Sequence, residues 1–336
     1  MKKLFLPLAL ATAYVAQAAP LSDLSNGQTG RIEFQSTTPA DPWAMIRNVR
    51  ERTTPAVVWG DLSIPENVSE KVRVAVLGHG SDGVASSTIG VYVKALNQAG
   101  IATFVVDSYN PRRFVQHTVL TRNEQNATAN ISDSMHALKL LATHPKIDPE
   151  KIFFIGWSTG GRSALYGAFP AYLRAVVPAP LKYAGSVGLY PSGCTSRIRV
   201  EHLGTNPAPL HLILAEKDDV TPPKPCAKFA DELKAAGHKV TYVTYPNTYH
   251  AFDRLDQRWM KLKDAQGRNC DLEVIIPEGR GMGKGYDFVQ KKPIHSGAEL
   301  YAALKACSSV DWITVETNSK ARDRAVKEVI DFIQTN

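Results

Sequence analysis

Ser158 stands in Gly156-Trp157-Ser158-Thr159-Gly160-Gly161, directly after the apolar run Lys151-Ile152-Phe153-Phe154-Ile155 and directly before a helix-like segment, Arg162 to Phe169. Strand, G-x-S-x-G turn and helix make the context in which a serine leaves regular structure with its Oγ at the head of a sheet. Glycines two before and two after the serine let the strand and helix backbones approach closely. A serine hydroxyl is a weak nucleophile at neutral pH; it needs an adjacent base, and the base needs an orienting carboxylate. On a sheet of this kind the chain order is serine, acid, histidine. Asp218 is the carboxylate candidate: it opens the loop after the strand ending near Ala215, a loop whose backbone Pro222 and Pro223 fix, with Asp219 one residue behind it. An Asp-rich turn ahead of an Ala227 to Ala236 helix would look the same. The base candidate is His250, in the polar-aromatic turn after the strand Lys239 to Tyr245. Of the nine histidines only His250 combines a strand exit with the right place in this order.

A tetrahedral intermediate on such a serine needs preorganised backbone N–H donors. Thr159, the residue after the nucleophile, is expected to give one, and Ser81, in His79-Gly80-Ser81-Asp82-Gly83, the other. His79 precedes the serine, which fits the order badly, and is read as shaping this loop. Arg112 and Arg113 follow Pro111 in a strand-exit loop, and Arg162 opens the helix after Ser158; each is a candidate for gripping a substrate carboxylate with two parallel hydrogen bonds, against the commoner role of a surface ion pair. Trp157 flanks the serine and either lines an acyl pocket or packs. The glycine-rich Gly279 to Gly285 is one residue short of a phosphate-binding G-x-x-x-x-G-K and lacks the following Ser or Thr, so it reads as a loop.

The elements that must position these residues alternate. Gly30 to Phe34, Ala56 to Ile64, Val72 to Leu77, Ile101 to Val106, the strand before Ser158, Ala175 to Pro178 or shortly after, Leu210 to Ala215 and Lys239 to Tyr245 read as strands. Val91 to Gln98, Thr128 to Thr143 (with Ile131, Met135, Leu138 and Leu141 on one face) and Ala321 to Gln334 (with Val326, Val329, Ile330 and Ile333 inward) read as helices. Apolar strands between helices mean an α/β fold with a mostly parallel sheet covered on both faces, and ligands then sit beyond the carboxyl ends of the strands. Residues from about 255 to 320 interrupt the alternation and read as an insertion, with a strand at Leu272 to Ile276, inside one domain spanning 19–336.

Lys2 and Lys3, the apolar Leu4 to Val15 and Ala16-Gln17-Ala18 form a signal-peptide pattern, with cleavage expected after Ala18. The apolar stretch is too short to span a bilayer, and no later stretch is long enough, so no membrane anchor is expected. Export to the periplasm or the medium follows. Removing Lys2 and Lys3 takes the formal charge from +7 to +5. The remaining basic residues are dispersed, which argues against nucleic acid as a partner. Four cysteines in an exported chain argue for disulfides, and three pairings are formally possible; nearest-neighbour pairing closes two loops of roughly 30 to 40 residues. The spacings a zinc site needs are missing, so no metal or other cofactor is expected. Asn67, Asn126 and Asn130 head glycosylation acceptors that are expected to go unused, the leader being of bacterial character.

The set His79-Gly80, Val106-Asp107-Ser108-Tyr109, Gly156 to Gly161, Tyr190-Pro191 before Cys194, Glu216 to Asp219 with Thr221-Pro222 and Cys226, and Tyr245-Pro246 leading to His250-Ala251-Phe252-Asp253 resembles the dienelactone hydrolase family, in that family's order and over most of the chain. The resemblance implies an α/β-hydrolase fold, a triad at Ser158, Asp218 and His250, and a disulfide Cys194–Cys226; similarity to the long exported members implies Cys270–Cys307. The namesake enzyme uses a cysteine where this chain has Ser158, so its lactone substrate does not carry over. The expectation is a serine hydrolase of small-molecule carboxylic esters, lactones or thioesters, with no obligate protein partner. A serine exopeptidase also carries G-W-S-x-G-G, usually with a gating domain for which this chain has no room. An inactive hydrolase scaffold used for binding is argued against by the intact set of Ser, Asp and His.

Overall fold

The computed structural model describes residues 19–66, 68, 70–114, 119–202, 207–255, 257–277 and 283–336, and among these the side chains of 119–127 and 265 are not described. The signal-peptide segment 1–18, residues 279–282 of the glycine-rich stretch, and Asn67 and Ser69 of the first glycosylation acceptor lie outside the described residues, as does the side chain of Asn126.

In chain order the elements are β1 (Gly30–Pro39), α1 (Pro42–Arg47), β2 (Thr53–Ser63), β3 (Val72–Gly78), α2 (Ser87–Gln98), β4 (Ala102–Asp107), α3 (Val119–Leu141), β5 (Ile147–Trp157), α4 (Thr159–Gly167), α5 (Pro170–Leu173), β6 (Gly185–Leu189), β7 (Ser196–Val200), β8 (Leu210–Ala215), α6 (Pro223–Ala235), β9 (Val240–Tyr245), β10 (Met260–Gln266), β11 (Leu272–Ile276), β12 (Lys284–Asp287), β13 (Lys292–Ile294), α7 (Gly297–Cys307), β14 (Ser309–Val315) and α8 (Ser319–Thr335). Eight strands form the main sheet in the order β1-β2-β4-β3-β5-β6-β8-β9. β1, β2 and β4 pair antiparallel, and every pairing from β4 through β9 is parallel.

Burial follows strand position. Central β8, Leu-His-Leu-Ile-Leu-Ala, is buried at every residue, as a strand covered on both faces requires. Edge strand β1 buries Ile32, Phe34 and Ser36 and turns Arg31, Glu33 and Gln35 away, the two-residue period of a half-covered strand. One apolar core packs α3 residues Ile131, Met135, Leu138 and Leu141 against Val74, Val76 and Phe154. The other packs Tyr92 and Leu96 of α2 and Ala325, Val329 and Ile333 of α8 against Leu77, Phe153 and Ile155. The buried stripe of α8 thus recurs every four residues, and Val326 and Ile330 sit at its margin rather than at its centre.

The strand expected at Ala175 to Pro178 or shortly after takes the later place, as β6 at Gly185–Leu189. Pro178 and Pro180 lack the N–H that a central strand must donate on both sides. The insertion is richer than its single expected strand. β10 and β14 form an antiparallel ribbon, and β11, β12 and β13 join β7 in a four-stranded sheet, with β7 and β11 parallel. β7 thereby ties the insertion to the chain leaving the main sheet.

His136 lies on α3 with its Nε2 buried and unbonded, and burial lowers its pKa from 6.5 to about 4. A base with a depressed folded-state pKa stabilises the fold above its unfolded value, and that contribution is lost as pH falls through the folded value. Between pH 6.5 and about 4 the protein therefore loses about 3 kcal/mol through this one residue. In urea melts at pH 7 and 4.5, His136→Gln flattens that part of the acid destabilisation; an unchanged slope would refute the assignment.

Candidate active site

β5 runs straight into the turn that carries Ser158. The serine has φ 50° and ψ −109°, a backbone conformation that side-chain-bearing residues rarely adopt. It is held there from both sides: Ser158 N–H donates to the Leu189 carbonyl at 3.0 Å, and Ser192 N–H donates to the Ser158 carbonyl at 2.9 Å. The flanking glycines are needed for space. A Cβ on Gly156 would stand 2.1 Å from the Gly160 oxygen, and one on Gly160 would stand 2.0 Å from the Gly78 oxygen. The turn therefore admits no side chain at either position, and the first turn of α4 lies against the ends of β3 and β5.

Asp218 and His250 reach Ser158 from the exits of β8 and β9. His250 Nε2 lies 3.0 Å from Ser158 Oγ, and His250 Nδ1 lies 2.8 Å from Asp218 Oδ2. The Asp218 carboxylate is fully buried, and its other oxygen accepts the N–H groups of Val220 (2.9 Å) and Thr221 (2.7 Å). With Oδ1 held by two backbone donors, Oδ2 is left for the imidazole. That contact sets the tautomer, with the proton on Nδ1 and the lone pair of Nε2 facing the serine. Asp219 does different work: its carboxylate accepts Thr314 N–H at 3.0 Å and its carbonyl accepts Arg268 Nη1 at 2.9 Å, which docks the insertion.

Two groups around this chain carried no motif of their own. The Thr221 hydroxyl lies 2.9 Å from Asp218 Oδ2 and 3.0 Å from the Tyr190 carbonyl, so its single proton serves one acceptor at a time. Asp253, three residues past His250, is fully buried. It accepts from Tyr92 Oη (3.1 Å), Trp157 Nε1 (3.0 Å) and Tyr190 Oη (2.6 Å). The Tyr190 ring packs edge-on against the His250 ring, with centroids 4.8 Å apart. Both residues sit in segments whose composition was legible, Thr221-Pro222 and His250 to Asp253, but Tyr190, Tyr92 and Trp157, which they meet, lie far away in sequence.

His79 is buried. Its Nε2 accepts Ser108 N–H at 3.1 Å, which puts the proton on Nδ1, 2.7 Å from the Gly80 carbonyl. Burial lowers its pKa, so it stays neutral and keeps that role. It braces the loop whose Gly80 packs over Ser158, where an added Cβ would stand 3.4 Å from Ser158 Cβ. Ser81 and Thr159 both line the cleft at Ser158. Thr159 is the first residue of α4, where a backbone N–H has no acceptor within the helix.

That cleft has a volume of about 230 Å³. Trp157, Arg162 and Tyr190 wall it from below, and Leu262, Ile313 and Val315 of the ribbon roof it. Arg112 is not among its lining residues. Its guanidinium makes two 2.7 Å bonds to the buried Asp133 and further bonds to Thr38 Oγ1 and the Ser108 carbonyl, so it ties β1 to α3 and has no donor geometry left for a substrate. Arg113 is exposed and also absent from the lining. Among the described residues no cluster of His, Cys, Asp or Glu could hold a metal, and no helix is long and apolar enough to cross a membrane.

The disulfides are Cys194–Cys226 and Cys270–Cys307. The first joins the loop after Tyr190 to the start of α6, just beyond Thr221, so it clamps two loops that meet at His250. Closing a loop over a sequence separation of 32 stabilises the fold by about 3–4 kcal/mol. Cys194→Ser/Cys226→Ser is expected to lose about that much in urea unfolding and to lower kcat about 10-fold, as Tyr190 and Thr221 loosen. An unaltered unfolding midpoint would count against the clamp.

A mostly parallel sheet, a strained serine between β5 and α4, and acid and histidine loops at later strand exits define an α/β hydrolase. The chain matches the dienelactone hydrolase family over residues 60–271, and it belongs to that family. It is accordingly a hydrolase acting on ester bonds. No curated protein gives a sequence match. Among solved structures the chain is similar to an esterase from the planctomycete Thermogutta terrifontis in its propionate-bound form, with 16% identity, 60% of this chain and 82% of that chain covered, and a TM-score of 0.45. The same esterase phosphorylated by paraoxon gives 17% identity, 60% and 81% coverage, and a TM-score of 0.45.

Proposed function

We propose that the chain is an exported serine hydrolase that cleaves small carboxylic esters through an acyl-enzyme on Ser158. The observation that carries this is the continuous chain Ser158 Oγ, His250 Nε2, His250 Nδ1, Asp218 Oδ2, with contacts of 3.0 and 2.8 Å and the serine at φ 50°. His250 Nε2 takes the Ser158 proton as Oγ attacks the ester carbonyl. Buried Asp218 holds the imidazole in the required tautomer and offsets the imidazolium charge. The carbonyl oxygen gains negative charge beside the N–H groups of Thr159 and Ser81. His250 then returns its proton to the alkoxide leaving group as the acyl-enzyme forms. Water repeats the sequence: His250 takes its proton, hydroxide adds to the acyl carbon, and Ser158 leaves reprotonated. Every step is a proton or acyl transfer among these groups. Export to the periplasm or the medium is supported by the basic–apolar–A-x-A amino terminus together with two disulfides, which persist in oxidising compartments.

A fluorophosphonate reacts with a serine only where a base activates it. The expected result is stoichiometric labelling of folded protein, mapped to Ser158 by peptide mass and abolished by Ser158→Ala. Folded protein that resists labelling, or that labels elsewhere, refutes the reading.

A further inference from the structure

We infer that the outer face of the β10–β14 ribbon docks the protein on an anionic phospholipid surface and so brings the cleft beneath the ribbon to lipid. Exposed large apolar side chains are not spread over the molecule. Among the described residues all but Val57 and Tyr242 lie in the insertion. Five of them, Leu255, Trp259, Met260, Val310 and Trp312, belong to the ribbon or the segment leading into it, and each is between 45% and 64% exposed. Register explains how they come to share a side. β10 and β14 pair Leu262 with Ile313 and Lys263 with Trp312. Side chains alternate along each strand. Leu262, Asp264 and Ile313 therefore face the cleft that they line, and Lys261, Lys263, Val310 and Trp312 face away from it. Trp259, one residue before β10, continues the outward parity. β14 is fixed by its other edge: Thr314 N–H donates to Asp219 at 3.0 Å, and Val315 bridges to His250. The ribbon is thus held over the cleft while its outer face meets water.

The exposed charges on that face have one sign. Arg258, Lys261 and Lys263 are exposed. The two acidic residues of the strands are engaged elsewhere: Asp264 lines the cleft and Asp311 holds Arg268. Glu316, past the end of β14, is half-buried. Lys263 Nζ lies 5.5 Å from the centroid of the Trp312 ring, so ammonium and indole stand side by side. An apolar surface set among lysines calls for a partner that is apolar and negative at once. A second copy of the chain fails on charge, because a two-fold contact would bring Lys261 and Lys263 against their own copies. The boundary of an anionic bilayer satisfies both halves. Indole rings settle at headgroup level, the aliphatic side chains reach the acyl region, and lysine lays its stem along apolar surface with its ammonium on phosphate. Docking of this kind is peripheral and reversible, which sets it apart from a membrane anchor.

Vesicle flotation tests this, with the chain from Ala19 onward so that the apolar leader takes no part. The expected result is binding to vesicles of phosphatidylglycerol and phosphatidylcholine in equal parts, little binding to phosphatidylcholine alone, and release as salt screens the lysines. Lys261→Glu/Lys263→Glu is expected to weaken the partition by about 100-fold. Trp259→Ser/Trp312→Ser is expected to weaken it by about 10- to 100-fold. All four positions are exposed, so both variants should keep the wild-type urea midpoint. Should a double variant shift it, the single variants Lys263→Glu and Trp312→Ser give the same reading at smaller effect. No binding to the mixed vesicles, or equal binding to both lipids, overturns the proposal. Binding that survives both double variants places the contact elsewhere on the molecule and overturns it too. Self-association without lipid that disappears in Trp259→Ser/Trp312→Ser would give the face to a second copy instead. Flotation needs no turnover, so its outcome is separate from the role of Ser158.

Discussion

Ser158→Ala, His250→Ala and the double variant are each expected to lose about 10⁴- to 10⁶-fold in kcat on 4-nitrophenyl acetate, and to lose it once. The equality is the informative part. In the proposed mechanism His250 contributes only by moving the Ser158 proton, and Ser158 attacks only when that proton has somewhere to go, so the second deletion removes nothing the first has left. The 3.0 Å contact between Oγ and Nε2 is the physical basis for treating the two as one unit. Asp218→Asn is expected to lose less, about 10³- to 10⁴-fold, because the amide keeps the side chain's shape while presenting the wrong tautomer to Nδ1. Steady-state kinetics on purified variants with matched circular dichroism decide it. Multiplicative losses, or an active Ser158→Ala, would mean that the serine and histidine act separately or elsewhere.

Residues that meet at strand exits were open to reading from sequence, because a buried parallel strand announces itself as an apolar run and the chemistry follows at its end. Ser158 after Ile152 to Trp157, Asp218 after Leu210 to Ala215 and His250 after Val240 to Tyr245 are of this kind. The choice of Asp218 over Asp219 had no such signal. The two carboxylates differ in where they point: Asp218 to the imidazole, Asp219 to Thr314 of the insertion. Arg112 misled for a related reason. A loop arginine after a strand has the same sequence appearance whether it faces the cleft or a buried partner, and Asp133, 21 positions on, claims this one. The ribbon that roofs the cleft was illegible because its strands, β10 and β14, lie far apart in sequence and bury only one face. Trp312, 53% exposed, and Lys263 pair across the outer side, while Leu262 and Ile313 turn inward. Its stability comes from long-range pairing and from Asp219, neither of which leaves a local pattern.

Asp253→Ala is expected to destabilise the fold by about 3–5 kcal/mol and to lower kcat about 10-fold with little change in KM. The carboxylate has no access to water and is the shared acceptor for Tyr92, Trp157 and Tyr190. Removing it strands three buried donors, each carrying its own desolvation cost, and leaves a hole beneath the turn that bears Ser158. The rate effect passes through position rather than contact. Trp157 immediately precedes Ser158 and Tyr190 abuts the His250 ring, so both lose the anchor that fixes their tilt. Asp253→Asn separates the charge from the shape. Burial outweighs the three donors and raises the Asp253 pKa above 3.8. An acid with a raised folded-state pKa lends stability below its unfolded value, and that contribution disappears as pH climbs through the folded value. Asparagine does not titrate, so the stability gap between wild type and Asp253→Asn should be widest near pH 4 and narrow toward pH 7. Urea unfolding at the two pH values, run beside steady-state kinetics, tests both halves. A gap that widens with pH would mean the donors outweigh burial, and a kcat unchanged in Asp253→Ala would mean that Tyr190 and Trp157 hold the nucleophile and the imidazole without it.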